Sequence, residues 1–496
     1  MMTITAIGCL AIACSPSRDG GTPIGQGGEG GRGGGSRGAG GNGGSAGGII
    51  VRQPDGWDRD VAIRQPVDLN PDPHILEVNI EATVVAQTIL PGTTTPVWTY
   101  NGQIPGPLLR AHTGDRVIVH FTNHLPEATT IHWHGIRLSA DMDGTPSAQP
   151  PVEPNGTFDY SFVVPDAGLF WYHPHLHTNV QVADGLYGAL YVEDAPPVRD
   201  FGDEVTLVLS DMQVNADGSL PAPNLMDGAI SIWGREGDIV WVNGKVTPTI
   251  LARRGQRQRW HLVNAAGSRY FNMDFAGHHF TRIGGDGGLR EAPVESETLL
   301  LVPGERADVL VTPDATVGTT LAVRWLPYDR GFGTALDRVP SDILYVKIAE
   351  DVSGPVPPSL PTTLRTIPAV DVEGARSQRV FLALVGAGYG VNGENFGGGE
   401  EGALHGIVGQ TDVWTIKNDS PFDHPFHIHG FFFQVLDSDT SQPVSPREWK
   451  DTVNIPQNKT LKLAVNYDDR PGMWMFHCHI LDHAEIGLMG MLHVAR

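Results

Sequence analysis

The stretch from His477 to Leu488 holds the residues whose types and spacing most clearly indicate chemistry. Cys478 lies between two histidines, and His483 follows four positions after His479. On a β-strand successive side chains point to opposite faces, so His477 and His479 share one face while Cys478 points to the other. One thiolate with two imidazoles is the donor set of a trigonal blue-copper site. The tripeptide could therefore serve two different metal sites.

Pairs of histidines separated by one residue occur five times, although 20 histidines in 496 residues predict about 0.8 such pairs by chance. The fifth pair, His175 with His177, overlaps another pair. The four pairs with distinct contexts are His132 and His134, His173 and His175, His427 and His429, and His477 and His479. A structural zinc site does not explain so many histidines, because it takes four ligands.

An internal repeat places these pairs in a common framework. Its elements are a glycine, an asparagine nine positions later, and two positions nine and eleven beyond that asparagine. These positions are Gly114, Asn123, His132 and His134 in the first unit, Gly255, Asn264, Met273 and Phe275 in the middle unit, and Gly409, Asn418, His427 and His429 in the last. The middle unit keeps the framework but has apolar residues where its neighbours have histidines.

The second histidine pair of each outer unit follows the same correspondence. The run from Gly168 to His175 aligns without a gap with the run from Gly472 to His479, and Pro174 stands where Cys478 does. The first unit therefore cannot build the sulfur site. The spacing predicts that the first and third units face each other across a shared metal cluster, with the middle unit as a spacer.

Composition predicts an all-β fold. Glycine and proline, 62 and 38 residues, make up about a fifth of the chain, against roughly 12% in ordinary proteins. Short strand-like segments recur between the turns, and long helical periodicity is missing. The clearest segments are residues 116–123, 204–210, 380–384, 413–417 and 461–466. About 450 folded residues allow three sandwiches or barrels.

The N-terminal region has a different character. Residues 3–13 form a short apolar stretch before Cys14, which resembles the end of an export signal or a bacterial lipobox, although a basic region is missing. We interpret residues 1–14 as an export or lipoprotein signal and residues 15–55 as a glycine-rich disordered linker. Simple secretion and a cytoplasmic protein are the alternatives. Lipidation of Cys14 would tether the protein to a membrane.

Charge and cysteine content restrict the partners. The net charge of −22 disfavours nucleic acid as a partner. A solvated acidic surface explains this charge, and attraction of cationic metal substrates is the alternative. Cys9 and Cys14 lie in the leader, so with Cys478 bound to metal no disulfide is expected.

The four histidine-pair contexts, with His424 before the third and His483 after the fourth, resemble the copper-binding motifs of the three-domain multicopper oxidases. That family includes laccases, and this chain looks like a bacterial exported type. The resemblance implies three consecutive cupredoxin-like Greek-key sandwich or barrel domains. We expect them at residues 56–196, 197–355 and 356–496, with copper ligands in the first and third only.

The resemblance also implies a cofactor of four copper ions and the residues that bind them. The expected type 1 ligands are His424, Cys478 and His483, and the expected type 2 ligands are His132 and His427. The expected ligands of the type 3 pair are His134, His173, His175, His429, His477 and His479. The implied reaction couples four one-electron oxidations of a reducing substrate to reduction of O2 to two waters.

Four further residues belong to this interpretation. Leu488 stands where many family members have an axial methionine, with a register slip to Met489 as the alternative. Asp143 resembles the family's aspartate near the type 2 copper. Asp482 and Glu485 flank His483 and are candidates for proton delivery. The family's acid directly after the last type 1 histidine is replaced here by alanine.

The reducing substrate carries no readable motif. We favour phenols or aromatic amines, as in laccases, which should approach exposed edges of His424 and His483. A metallo-oxidase of Mn(II), Fe(II) or Cu(I) is the alternative, and a non-enzymatic copper-binding envelope protein is a further one. The expected partners are O2 and this small substrate. We expect a monomer in the periplasm or cell envelope.

Overall fold

Three asparagines of the internal repeat make the same hydrogen bonds at three places in the fold. Asn123 Nδ2 donates to two backbone carbonyls while its Oδ1 accepts the amide two residues on. Asn264 and Asn418 do the same in their own units. Each asparagine ends a strand and satisfies the backbone groups of the loop that follows. The repeat predicted from spacing is therefore a repeat of structure.

The computed structural model describes residues 52–225, 227–333, 338–351, 359–386, 388–399 and 403–496. The predicted signal and nearly all of the predicted linker lie outside these residues. Within these ranges, none of the helices combines the length and apolar character needed to cross a bilayer.

The first unit is a sandwich of two four-stranded sheets, with strand orders β2-β1-β4-β6 and β3-β8-β7-β5. Its strands are β1 (Ile75–Gln87), β2 (Thr95–Tyr100), β3 (Leu109–His112), β4 (Arg116–Asn123), β5 (His132–His134), β6 (Thr157–Val163), β7 (Gly168–His173) and β8 (Gly188–Glu193). A 3-10 helix (Ala140–Met142) and the helix α1 (Thr178–Gln181) lie in its loops.

The middle unit has a six-stranded and a five-stranded sheet, ordered β10-β9-β12-β17-β14-β15 and β11-β19-β18-β13-β16. Its strands are β9 (Asp203–Met212), β10 (Ile239–Val242), β11 (Thr249–Arg253), β12 (Gln258–Asn264), β13 (Phe271–Phe275), β14 (Phe280–Gly285), β15 (Gly288–Ser296), β16 (Thr298–Leu301), β17 (Arg306–Val311), β18 (Thr320–Leu326) and β19 (Ser341–Glu350). The helix α2 (Gly228–Trp233) lies between β9 and β10.

The third unit has two five-stranded sheets, ordered β21-β20-β23-β27-β25 and β22-β29-β28-β24-β26. Its strands are β20 (Arg376–Val385), β21 (Gly388–Val391), β22 (Leu404–Ile407), β23 (Thr411–Asn418), β24 (His424–Ile428), β25 (Phe433–Leu436), β26 (Thr452–Ile455), β27 (Thr460–Asn466), β28 (Gly472–Cys478) and β29 (Met489–Ala495). The helix α3 (Leu481–Glu485) joins β28 to β29.

The three units share one topology. In each, the first strand pairs antiparallel with the next strand and parallel with the strand that ends in the repeated asparagine. Such parallel neighbours in a mostly antiparallel sheet require a crossover between the two sheets. The all-β prediction is confirmed, and the five strand segments predicted from sequence all lie on strands.

The hydrophobic cores show how the units associate. Buried residues of the first and third units form one continuous cluster, which also includes Tyr270 and Val302 of the middle unit. Most buried apolar residues of the middle unit form a second cluster. Met273 and Phe275, which replace the histidines of the middle unit, are buried in that second cluster. Apolar side chains there fill a core where the outer units hold polar rings.

The chain just before the first sandwich packs on the middle unit. Trp57 and Val61 belong to the middle unit's core, and Gln53 Nε2 donates to the backbone carbonyls of Gln256 and Arg257. Residues 52–55 were predicted as linker and residues 56–61 as part of the first domain. Both segments instead pack against the middle sandwich, because the indole of Trp57 and the amide of Gln53 find partners only there.

Candidate metal centres

Strand pairing brings the histidine pairs of each outer unit together. In the first unit β5 lies antiparallel to β7, with His132 opposite His173. In the third unit β24 lies antiparallel to β28, with His427 opposite His477. Directly opposite residues of an antiparallel pair project to the same face. Each sandwich therefore presents four histidines on one surface.

The two surfaces face each other. His132 stacks on His429 with ring centroids 4.0 Å apart, and His134 stacks on His427 at 3.8 Å. His175 of the first unit also lies 5.2 Å from His477 of the third. The predicted convergence of the first and third units on one cluster of eight histidines is what the structure shows.

Ring nitrogens converge on points where cations would bind. Ligand atoms lie within 4.8 Å of one another in four groups here: His132, His427 and His429; His132, His134 and His173; His175, His429 and His477; and His134 and His427 with Asp451. His479 belongs to none of these groups, but its ring lies 5.0 Å from that of His134 and 5.7 Å from that of His173. All eight predicted cluster ligands are thus brought together.

The buried nitrogens test whether metal ions fit. The Nδ1 atoms of His132, His173 and His427 bond to backbone carbonyl oxygens at 2.7 to 3.0 Å. Their Nε2 atoms are buried and have no hydrogen-bond partner, as is true of both ring nitrogens of His479. A buried polar atom without a partner costs free energy, about 1 to 3 kcal/mol. A metal ion bound by the lone pairs of these ring nitrogens would remove that cost.

Asp143 lies beside the cluster as predicted. Its backbone carbonyl accepts from His132 Nδ1 at 2.7 Å, and its Oδ2 accepts from His429 Nδ1 at 2.8 Å. Burial alone would raise the pKa of the Asp143 carboxyl, but interactions with His429 and His132 hold that pKa well below its usual range. An ionised Asp143 therefore fixes the proton of His429 on Nδ1 and leaves Nε2 to bind metal.

Asp451 has a similar role that the sequence did not reveal. Its Oδ1 lies 3.2 Å from His134 Nε2, and its backbone carbonyl lies 3.0 Å from His427 Nδ1. Burial raises the pKa of the Asp451 carboxyl, but the Arg306 guanidinium together with His134 and His427 holds that pKa well below its ordinary value. No spacing rule links Asp451 to a histidine motif. Only the pairing of β26 with β24 brings it there.

The type 1 set forms a separate site. Cys478 Sγ lies 3.5 Å from His424 Nδ1 and 3.7 Å from His483 Nδ1. His424 Nε2 bonds to Ser420 Oγ at 3.0 Å, and His483 Nε2 donates to the Ile232 carbonyl at 3.1 Å. Because a carbonyl oxygen only accepts, His483 keeps its proton on Nε2 and directs the Nδ1 lone pair toward the sulfur.

Burial determines the protonation state of expected ligands in both metal centres. It lowers the pKa of His424 and of His477 to about 3 and raises the pKa of the Cys478 thiol above its ordinary value. Both imidazoles are therefore neutral near pH 7, as metal ligation requires. A bound metal ion would have to displace the thiol proton, because only the thiolate is a good ligand.

Leu488, the residue expected in the axial position, is enclosed in the core. It is fully buried in the same hydrophobic cluster as Cys478, whose backbone N–H donates to the Leu488 carbonyl at 3.0 Å. Met489 is partly exposed and lines a surface pocket with Phe396 and Met491. This placement supports Leu488 over Met489 beside the copper.

The two predicted proton donors differ in their surroundings. Asp482 is buried and accepts from Asn179 Nδ2 at 2.8 Å and from Arg235 through its backbone N–H and guanidinium. These bonds tie α3 to the first and middle units and favour an anchoring role over proton delivery. Glu485, at the end of α3, is exposed.

The type 1 imidazoles are covered, which corrects the expectation of exposed edges. His424 and His483 are fully buried. The ring of Tyr389 packs on both, with centroids 4.6 and 4.5 Å away, and its hydroxyl donates to the Ile232 carbonyl at 3.2 Å. The carbonyl that binds His483 thus belongs to α2, a helix of the middle unit whose position beside the type 1 site was not predicted from the sequence.

Comparison with known proteins agrees with this geometry. Three models of multicopper oxidase domains match residues 81–197, 203–323 and 363–496. The multicopper oxidase MmcO of Mycobacterium tuberculosis is 31% identical over 431 residues, which cover 79% of this chain and 81% of that protein. A laccase of Bacillus subtilis is 27% identical, covering 80% and 89%. A solved multicopper oxidase of Campylobacter jejuni, described as a metallo-oxidase, superposes with a TM-score of 0.77 at 28% identity, covering 88% and 94%.

The chain belongs to the multicopper oxidase family. Its fold is therefore three consecutive cupredoxin-like domains. It is a copper-dependent oxidoreductase with O2 as acceptor, and its cofactor is the four coppers of the family, with which the histidine groups are consistent.

Replacing Leu488 with methionine should lower the reduction potential of the type 1 copper, because a thioether adds a soft axial donor. Redox titration of the blue absorption measures this potential. The matched control is Met489→Leu, which should leave the potential unchanged. A potential that responds to Met489→Leu and not to Leu488→Met would show that Met489 is the axial residue.

Proposed function

We propose that this enzyme oxidises a small reducing substrate at a type 1 copper and passes the electrons to a trinuclear copper cluster, where O2 is reduced to two waters. The observation that carries the proposal is the meeting of eight buried histidines between the first and third sandwiches. Two of them, His477 and His479, are the chain neighbours of Cys478. His424, Cys478 and His483 would hold the type 1 copper.

By its resemblance to the family, the cluster would divide its ligands among three coppers. His132 and His427 would hold the type 2 copper, through Nε2 atoms that have no other partner. His175, His429 and His477 would hold one type 3 copper, since the His477 Nε2 atom lies 3.4 and 3.1 Å from the other two Nε2 atoms. His134, His173 and His479 would hold the second.

Copper in these sites supplies one-electron redox chemistry and the binding of O2. The chain supplies the connection between them, because Cys478 is covalently joined to His477 and His479. His477 Nδ1 also donates to the Cys478 carbonyl at 2.9 Å, which shortens that connection. Burial of every ligand excludes water, and Asp143 holds His429 in its ligating tautomer.

Substrate access passes through α2. With His424 and His483 covered, a donor cannot touch either ring, and the Ile232 carbonyl bonded to His483 Nε2 offers a route inward. Trp233, the next residue, has 43% of its surface exposed. An exposed indole is a stacking surface for aromatic rings. This supports phenols and aromatic amines as the proposed substrate class.

Metal ions are the second candidate. The covered imidazoles exclude direct contact with a bulky donor, and the net charge of −22 attracts cations such as Mn(II), Fe(II) and Cu(I). Among the relatives, the Campylobacter jejuni structure carries the description of a metallo-oxidase, whereas the Bacillus subtilis protein is called a laccase.

The proposal is tested by loading the full chain with copper, counting the copper bound, and following O2 consumption with a phenol, Mn(II), Fe(II) and Cu(I) in parallel. We expect four coppers, a blue thiolate absorption and O2 uptake with the phenol. Four bound coppers without O2 uptake for any donor would refute the oxidase function.

Trp233→Ala should lower kcat/KM for the phenol and leave kcat/KM for Fe(II) unchanged, because only an aromatic donor would use the indole surface. The matched control is Phe381→Ala, which removes another exposed aromatic ring, from β20. Steady-state O2 uptake measures both variants. Equal rates of phenol oxidation in Trp233→Ala and the unmodified protein would argue against this docking point.

Cys478→Ser should bleach the blue absorption and abolish turnover while the cluster histidines continue to bind copper. The expected copper content is one ion below that of the unmodified chain, measured by atomic absorption. A variant that stays blue would show that Cys478 is not the type 1 ligand.

A further inference from the structure

We propose that Arg306, from the middle sandwich that has no copper ligand, determines which nitrogen of His134 binds copper, by holding Asp451 as the acceptor for His134 Nε2–H. Arg306 is thus a positioning residue that acts through Asp451. The inference rests on the proposed assignment of His134 to the trinuclear cluster.

The guanidinium group of Arg306 is fully hydrogen-bonded. It is fully buried, and each of its five N–H groups has an acceptor. Nη1 and Nη2 bind the two Asp451 oxygens, with Nη1 2.7 Å from Oδ1. The other three N–H groups donate at 3.0 to 3.1 Å to the carbonyls of Leu169, Gly304 and Asp286. One side chain therefore joins the first, middle and third units behind the cluster.

Asp451 is also fixed from the other side. Its backbone N–H and that of Thr452 donate to Asp286 Oδ2 at 3.4 and 3.2 Å. The Thr452 hydroxyl donates to Asp451 Oδ1 at 2.8 Å. This carboxylate, which the third unit places beside β26, is thus also held by Arg306 and Asp286 of the middle sandwich.

The contact with His134 selects a tautomer. Asp451 Oδ1 lies 3.2 Å from His134 Nε2, and a carboxylate only accepts, so the imidazole proton is on Nε2. His134 Nδ1 is then left with its lone pair, and it is buried without a partner. Four other cluster histidines have the opposite tautomer, with the proton on Nδ1, because their Nδ1 atoms bond to backbone carbonyls. These are His132, His173, His427 and His477. His134 would ligate through the opposite nitrogen.

The same segment of the middle unit touches a second ligand. A Cβ on Gly304 would lie 2.7 Å from Cδ2 of His479, so only glycine allows the backbone to pass so close to that ring. Gly304 has φ of +84°, which also favours glycine. The turn that leads to Arg306 therefore packs directly on the cluster.

The test compares Arg306→Met, Arg306→Lys and Asp451→Asn in the full chain. In all three we expect the affinity for copper at the His134 site to fall about 10- to 100-fold, the usual cost of losing a residue that orients a metal ligand. Copper content and EPR report this loss. The blue absorption should persist, because His424, Cys478 and His483 have no contact with Arg306.

A direct readout is the tautomer of His134 in the copper-free protein, from imidazole ¹⁵N shifts assigned by difference with His134→Gln. We expect the Nε2–H form in the unmodified chain and a shift toward Nδ1–H in Arg306→Met. Arg306→Lys keeps the charge and reports the tautomer if Arg306→Met does not fold. The matched control, Arg259→Met, removes a buried arginine paired with Asp308 and Glu204 inside the middle sandwich, and should keep four coppers.

Failure of this inference is distinct from failure of the proposed function. An unmodified chain that does not bind four coppers would contradict the proposed function. The other outcome concerns Arg306 alone. If the unmodified chain binds four coppers, and Arg306→Met or Arg306→Lys keeps the same copper affinity and the same His134 tautomer, the role of Arg306 is overturned. Equal loss of blue absorption and cluster copper would show a general structural role and would also overturn it.

Discussion

The contact between two layers of buried imidazoles is the constraint on which the rest of this structure depends. Eight buried rings meet between the first and third sandwiches, with the centroids of stacked rings as close as 3.8 Å. Desolvation lowers the pKa of seven of these rings and so favours their neutral form. Five of the eight histidines also have a buried ring nitrogen without a hydrogen-bond partner. Packing of this kind is costly without metal ions and favourable with them. The sandwiches supply the rigid strands that hold the rings in register.

The middle sandwich contributes more than spacing. It has a core of its own, yet one of its side chains and one of its backbone carbonyls reach the two copper regions. Arg306 lies behind the cluster through Asp451, and the Ile232 carbonyl of α2 binds His483 at the type 1 site. The unit without copper ligands thus helps to orient the ligands of its neighbours.

Much of the fold and the site follows from the sequence because strand periodicity and the repeat are local. The spacing from Asn123 to His132 and from Asn418 to His427 is fixed by a loop of one length, so equivalent strands present equivalent side chains. Asp451, Arg306 and α2 could not be found in this way. Each reaches its site through packing between units. Such contacts produce no regular spacing of residues that could be recognised in the sequence. The placement of Trp57 on the middle unit was missed for the same reason.

The central claim is that four coppers lie at the four positions defined by these ten histidines and Cys478. Anomalous diffraction at the copper edge from crystals of the copper-loaded chain tests it most directly. The structure predicts one copper site beside Cys478 and three between the outer sandwiches, one of them bound through His134 Nδ1. Copper peaks elsewhere, or no peaks between the first and third sandwiches, would contradict it.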